Sequence, residues 1–325
     1  MLGTASAMPV CGRNQSAQAL QVHGRLFLVD CGEGTQYRMV REHVSMMKLE
    51  AVFISHIHGD HVFGIFGLLS TLGMKGRQAP LSVYAPANFG PVLKFFLSYY
   101  GEGIGFEIRF TPLKMKAPET VLETKSTEVL AFPLNHGIET FGFIFREKEP
   151  LYNVRKECIG EYGLTLTEIG ALKRGEDVLR ADGTRIPLEA AAYKPWTPRS
   201  YAYCSDTAPF PEEALWLRGV DVIYHETTYP ESFAEEGAKR GHSTTLQAAR
   251  LALEAGAKKL LIGHYTSREV PVELFEEECR SIFPQTSVVF RKIIICKLQV
   301  IIKSIQNFFH FTIFIVVFSF FFLSS

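Results

Sequence analysis

Six short apolar runs recur along this chain, and each ends on a polar residue able to do chemistry. Leu26-Phe27-Leu28-Val29 ends at Asp30, and Val52-Phe53-Ile54 runs to His56. Val129 to Leu134 leads to His136, and Tyr201-Ala202-Tyr203 to Asp206. Val222-Ile223-Tyr224 leads to His225-Glu226, and Leu260-Leu261-Ile262 to His264. Short continuous apolar runs read as strands buried on both faces. A side chain at a strand end is held by a rigid scaffold while facing an open rim. Six such endings predict one site at one edge of a β-sheet core.

Helical patterns interleave with these strands. Val62 to Met74 is apolar nearly all round and predicts a buried helix. Thr244 or Thr245 can cap a helix over Leu246 to Ala255, whose Ala248, Leu251, Ala252 and Ala255 form an apolar stripe; Gly256 then stops it. The mixed order predicts an α/β layered domain with two sheets and flanking helices. Arg146 to Arg199 breaks the pattern, with few long apolar runs, ten basic against nine acidic residues, and a turn signal at Ala181-Asp182-Gly183-Thr184. It interrupts the strand series between His136 and Asp206 and reads as an insertion protruding from the core. There is no internal repeat.

From about Arg291 onward glycine, alanine, proline and acidic residues vanish. Phe308 to Leu323 is almost unbroken apolar sequence, and its 16 residues approach the roughly 20 that span a bilayer. One reading is a tail anchor with Lys292, Lys297 and Lys303 on its cytoplasmic side. The reading favoured by the Lys, Ile, Phe, Asn and Ser bias is AT-rich DNA translated out of frame. On either reading the tail stays outside the fold.

Length and charge narrow the class. The 325 residues fit one large domain or two small ones. Lys plus Arg equals Asp plus Glu at 34 each, which counts against a wholly basic nucleic-acid binder while allowing a local patch. Six scattered cysteines without a C-x-x-C pair, and no signal peptide, predict free thiols in a cytoplasmic protein.

The candidate chemistry centres on Ser55-His56-Ile57-His58-Gly59-Asp60-His61, which places three imidazoles and a carboxylate straight after a strand. A lone histidine there would read as part of a solvated loop. The cluster suits zinc, which takes His nitrogen and Asp oxygen and keeps a position open for water. A two-metal site needs about seven ligand positions and one bridging carboxylate, with the ions roughly 3.5–4 Å apart. His56, His58 and His136 are candidates for one ion, Asp60, His61 and His264 for the other, and Asp206 for the bridge. The shared water would lose its proton near neutral pH, with Asp60 as a candidate general base. Singly, His136, Asp206 and His264 read equally well as hydrogen-bonded structural residues; their joint strand-end placement favours ligation. Glu226 can hold the tautomer of His242, making it a candidate general acid for a leaving oxygen. Alternatively, His242 and Ser243 only shape a helix N-terminus.

These residues lie in linked motifs: Leu2-Gly3-Thr4 with Arg13-Asn14, Asp30-Cys31-Gly32-Glu33-Gly34-Thr35-Gln36, Ser55 to Gly64, and Asn135-His136-Gly137. Ser205-Asp206-Thr207, His225-Glu226-Thr227-Thr228, Gly241-His242-Ser243-Thr244 and Gly263-His264-Tyr265-Thr266-Ser267-Arg268 complete the set. The chain resembles the ribonuclease Z family, tRNA 3′-processing endonucleases of the metallo-β-lactamase superfamily. H-x-H-x-D-H marks only the superfamily; the D-C-G-E-G-T-Q run and the paired H-E-x-T and H-S-T motifs point to ribonuclease Z. The match covers about residues 1 to 290.

The resemblance implies a four-layer αββα sandwich over residues 1–290, a homodimer, and two Zn²⁺ per subunit on the ligands given above. It implies Asp60 as proton acceptor and His242, supported by Glu226, as proton donor. Residues 146–199 correspond to the arm that grips tRNA, and 291–325 would be an aberrant tail. The implied reaction removes the 3′ trailer of precursor tRNA and leaves a 3′-hydroxyl. This chain departs from the family in three ways. Its arm lacks a Gly-Pro motif, reading Glu161-Tyr162-Gly163-Leu164-Thr165-Leu166 there; the loop Pro9 to Asn14 lacks a lysine; and the first and closing strands are cut short. Two rival readings are a phosphodiesterase of the same superfamily acting on small substrates, and a tail-anchored membrane protein.

Overall fold

The computed structural model describes residues 1–8, 12–268 and 270–289. The tail at 291–325, the chain end after Phe290 and residues 9–11 of the N-terminal loop lie outside these residues. Met1–Arg291 forms one compact unit.

The first sheet holds β1 (Gln18–Val22), β2 (Arg25–Val29), β3 (Leu49–Phe53), β4 (Leu81–Pro86) and β5 (Ile108–Leu113) in that spatial order. β1 and β2 form an antiparallel hairpin, and β2 to β5 run parallel. The hairpin turns on His23-Gly24, both left-handed with φ 46° and 82°, the conformation of a two-residue type I′ turn. The second sheet contains β6 (Glu119–Glu123), β7 (Thr127–Leu134) and β8 (Thr140–Glu147). The chain then leaves through the short strands β9 (Asn153–Val154), β10 (Val178–Leu179), β11 (Arg185–Ile186) and β12 (Ala192–Tyr193). It returns as β13 (Ser200–Cys204), β14 (Val222–Glu226), β15 (Lys259–Gly263) and β16 (Thr286–Val288). The order of the second sheet is β16-β15-β14-β13-β8-β7-β6.

Alternation along the strands builds four layers. Phe27 and Phe53 meet Phe143 and Phe145 between the sheets, with ring centroids 5.3–5.7 Å apart. On the outer face of the first sheet, Leu28, Val52, Ile54 and Val83 pack under Ile65, Leu68 and Leu72 of the helix Gly64–Met74. Ala202, Ile223, Leu260 and Ile262 pack the second sheet against Ala249, Ala252 and Phe275 from the helices Thr245–Glu254 and Val272–Ile282. Helix, sheet, sheet and helix give the αββα sandwich.

Strand direction then sets where the chemistry falls. β13, β14 and β15 are parallel, and β7 shares their direction because both β7 and β13 oppose β8. The ends of β7, β13, β14 and β15 that precede His136, Asp206, Glu226 and His264 therefore share one edge. The insertion leaves and returns on neighbouring strands, since Arg146 of β8 pairs with Ser200 of β13. Inside it, Cys158, Leu164, Leu172, Val178, Ile186 and Ala191 make a separate small core.

One local expectation needs correction, and one that was left open is settled. The apolar stretch Val62 to Met74 is not one buried helix. A single turn spans Gly59–Val62, a new helix starts at Gly64, and Phe63 and Met74 are exposed. Its hydrophobicity all round reflects a surface left apolar, not burial on every side. At the later helix Thr244, not Thr245, is the N-cap, in a capping box with Gln247.

Gly64 seals the first helix against the loop after β2. Its N–H bonds the Cys31 carbonyl at 2.8 Å, and a Cβ there would lie 2.0 Å from the Gly32 oxygen. Gly64→Ala should lower unfolding free energy by about 3 kcal/mol in urea titration, because the obstruction is backbone that cannot rotate away. Gly103→Ala, with nothing within 4 Å of its Cβ, should change it by under about 0.5 kcal/mol. Equal effects at the two sites would refute the packing argument.

Candidate metal centre

Asp30 sits at 0 % exposure where the two sheets meet, in a left-handed conformation with φ 55°. Its carboxylate accepts from the Ser55 N–H (2.7 Å), Ser55 Oγ (2.9 Å), His61 Nδ1 (2.7 Å) and Tyr203 OH (2.6 Å). A nitrogen facing a carboxylate must carry the proton, so the His61 Nε2 lone pair points the other way. Three other imidazoles are fixed by the same logic. His136 Nδ1 donates to the Gly241 carbonyl at 2.8 Å, and His56 Nδ1 lies 2.9 Å from Ser55 Oγ. His264 Nδ1 lies 2.8 Å from Thr228 Oγ1, which itself donates to Glu226 Oε2 at 2.7 Å.

The inward atoms converge. His56, His58, His136 and Asp206 form one group and Asp60, His61 and His264 another, with the ligand atoms of each within 4.8 Å of one another. Asp206 lies between them. Its Oδ2 is 3.6 Å from His56 Nε2 and 4.0 Å from His136 Nε2, and its Oδ1 is 3.2 Å from His264 Nε2 and 3.4 Å from His61 Nε2. All seven residues that the sequence proposed as ligands are brought together.

These atoms fit a cation and little else. His136 Nε2 and Asp206 Oδ1 are buried without a hydrogen-bond partner. His61 Nε2 faces His264 Nε2 at 3.1 Å although both outward nitrogens are committed as donors. Facing lone pairs in a buried space repel unless a proton or a metal ion sits between them. Burial works against the charge on His61, yet Asp206, Asp30 and Asp60 push its pKa up to about 10. Burial and the surrounding imidazoles hold His56 well below the ordinary histidine range. Burial likewise opposes the charge on Asp60, but His61 and His264 hold it well below the usual carboxylate range. Asp60 Oδ2 also accepts the Ala7 N–H at 2.7 Å.

A second constellation borders the first. Glu226 is fully buried and accepts from His242 Nδ1 (2.9 Å), the Ser243 N–H (2.9 Å), the Thr207 N–H (3.2 Å) and the Thr228 N–H (2.8 Å). Burial opposes both charges, but the pair wins, raising His242 to about 9 and holding Glu226 down to about 2. The His242 ring lies 5.1 Å from His136 and 5.6 Å from His264. Glu226 thus favours the imidazolium form of His242 beside the metal-ready cluster.

The sequence reading gave no role to Asp30, Thr228 or Ala7. Asp30 showed the same strand-end signal as the ligands. Thr228 stood in a quoted motif but carries no chemistry of its own. Ala7 acts through a backbone N–H, which leaves no mark in the sequence.

Comparison with known proteins adds independent findings. A ribonuclease Z of Parabacteroides distasonis is 36% identical over 286 residues, covering 88% of this chain and 94% of that protein. The crystal structure of human tRNase Z, short form, superposes with a TM-score of 0.63 at 21% identity, covering 89% of this chain and 94% of that one. The metallo-beta-lactamase fold protein YhfI from Bacillus subtilis gives 0.62 at 17% identity, covering 89% of this chain and 93% of that one. These two structures show that the αββα sandwich is the metallo-β-lactamase fold. A family model described as Anti-Pycsar protein Apyc1 matches residues 1–99.

Asp30→Ala should weaken divalent-ion affinity by about 10–100-fold in a competitive chelator titration, since it frees the His61 ring while leaving every inward ligand in place. Unchanged affinity in a folded Asp30→Ala protein would show that His61 is oriented by something else.

Proposed function

Since the chain belongs to the ribonuclease Z family, we propose that it is an endoribonuclease that removes the 3′ trailer of precursor tRNA and leaves a 3′-hydroxyl. The observation that carries the reading is the pairing of a seven-residue metal-ready cluster with His242 at its rim, held 2.9 Å from the buried Glu226 carboxylate. Members of this fold bind divalent metal. We assign two zinc ions to this chain, one on His56, His58 and His136 and one on Asp60, His61 and His264, with Asp206 shared. The mixed imidazole and carboxylate donor set supports zinc. When bound, zinc supplies Lewis-acid polarisation of phosphoryl oxygens and a more acidic water.

The chain's own residues do the rest. Asp60 is held ionised, with Oδ2 accepting the Ala7 N–H, and it takes the proton of the attacking water. As the new P–O bond forms, the bond from phosphorus to the tRNA 3′ oxygen breaks. His242 passes its proton to that departing oxygen, which becomes the 3′-hydroxyl, and Glu226 stabilises the imidazolium beforehand. The trailer leaves with a 5′-phosphate.

Residues 146–199 are the tRNA-gripping arm in this reading. Their separate core supports a discrete arm, and the exposed Lys156 and Lys173 have no ion-pair partner among the described residues. Exposed Tyr37, Val40, Phe63, Phe95 and Tyr99 support a homodimer. The four described cysteines are free and buried, which supports a cytoplasmic setting. Among the described residues no helix is long and apolar enough to cross a membrane.

The test is cleavage of a precursor tRNA with a trailer, set beside bis-p-nitrophenyl phosphate. Asp60→Ala should reduce trailer cleavage at least about 10³-fold while circular dichroism stays native, because a ligand and the proton acceptor go together. Turnover of the small ester alone by wild-type protein would defeat the tRNA reading. A Lys156→Glu, Lys173→Glu double variant should raise KM for the precursor and flatten its salt dependence, since two phosphate contacts are lost. An unaltered salt slope would remove these lysines from the tRNA-binding surface.

A further inference from the structure

The arm is anchored where the backbone cannot control its direction. The sheet ladder between β8 and β13 reaches its outer limit at the Glu147 N–H to Arg199 carbonyl bond of 2.9 Å. Backbone pairing resumes inside the arm, where Val154 pairs with Ala192. Pro150, Pro195 and Pro198 lie in the two connecting segments and lack the N–H that would extend the ladder. Side chains therefore set the angle at which the arm leaves.

Those side chains meet at one point. His23, on the hairpin turn of the other sheet, packs its ring 4.6 Å from the Trp196 ring. Its Nε2 lies 3.2 Å from Glu147 Oε1, and the Glu147 carboxylate also takes the Arg199 N–H (3.0 Å) and Nε (2.9 Å). The Glu147 side chain is 7 % exposed, so its carboxylate is sheltered, unlike the open Lys194–Glu149 pair nearby, which holds little. Trp196 Nε1 is enclosed without a hydrogen-bond partner, so the indole is kept in place by packing on its neighbours.

We propose that His23, Trp196 and Glu147 form a latch that fixes the direction of the arm, making His23 and Trp196 positioning residues for the tRNA substrate. The inference rests on the reading of residues 146–199 as the tRNA grip. The latch lies at the edge of the sandwich opposite the metal centre, because β8 ends and β13 begins there. A small rotation at this root becomes a large displacement along the arm, while the cluster is untouched. A tRNA must engage arm and centre together, so a wandering arm lowers the effective concentration of the scissile phosphate at the centre.

The experiment compares kcat and KM for precursor tRNA and for bis-p-nitrophenyl phosphate in His23→Asn, Trp196→Ala, their double variant and Trp196→Phe. Asn accepts the left-handed turn conformation, so His23→Asn removes the ring and keeps the hairpin. Each of His23→Asn and Trp196→Ala should raise KM for the precursor about tenfold. The double variant should cost less than the two single changes combined, since both break the His23–Trp196 contact. Small-ester kcat/KM should stay within about twofold, and Trp196→Phe should recover most of the loss. Unchanged precursor KM in both single variants, or small-ester turnover falling in parallel with it, overturns the latch. If the Lys156→Glu, Lys173→Glu variant raises precursor KM while the latch variants do not, only the latch fails. If neither set moves it, the arm reading itself fails.

Discussion

The centre depends on holding lone pairs face to face, an arrangement that no folded chain keeps without restraint. Four of the five cluster imidazoles are restrained through an outward nitrogen: His61 on Asp30, His136 on the Gly241 carbonyl, His264 on Thr228 and His56 on Ser55. Asp30 is central among these. It receives Ser55 and His61 from the first sheet and Tyr203 from the second, so one buried carboxylate ties both sheets to one ligand. A buried carboxylate is costly unless every lone pair is used, and four donors use them here. The repulsion left at the inner atoms is relieved by charge. Asp206, Asp30 and Asp60 favour a proton on His61 against the opposition of burial, and the same negative charge suits a metal ion.

Most of the centre was legible because two independent signals coincided. Metal-ligating residue types fell at strand ends, and strand ends of common direction share an edge. His136, Asp206 and His264 were weak individually, but their place after β7, β13 and β15 made them strong together. The interleaved α/β order was also readable, since buried strands and capped helices leave local marks, as the Thr244 capping box shows. What could not be read were groups whose role comes only from tertiary position. Thr228 is an ordinary threonine until His264 and Glu226 close on it, and the Ala7 N–H is anonymous in sequence. The break at Phe63 was missed for a related reason. An apolar helix reads as buried, and sequence does not say that Phe63 and Met74 face outward.

Thr228 also joins the two halves of the site. Its hydroxyl donates to Glu226 Oε2 and receives His264 Nδ1, while Glu226 Oε1 receives His242. The carboxylate that sustains the proton donor thus also orients, through one hydroxyl, a residue of the metal cluster. The distance between His242 and the cluster is fixed by a short network in which Glu226 and Thr228, after β14, receive His242 and His264 from two other loops. Such coupling keeps a departing oxygen within reach of both.

Strand polarity also separates the insertion from the metal-ready cluster within a single sandwich. His136 and Asp206 follow the ends of β7 and β13, and the insertion occupies the opposite ends of β8 and β13. Ser200–Cys204 spans five residues, about 17 Å of extended chain at roughly 3.3 Å per residue, between the arm root and the centre. That stretch is almost wholly buried and hydrogen-bonded on both sides, so bending at the arm root does not reach Asp206. A root on the same edge as the cluster would crowd the residues that restrain the imidazoles. On the far edge the proposed latch can set the direction of the insertion without touching them.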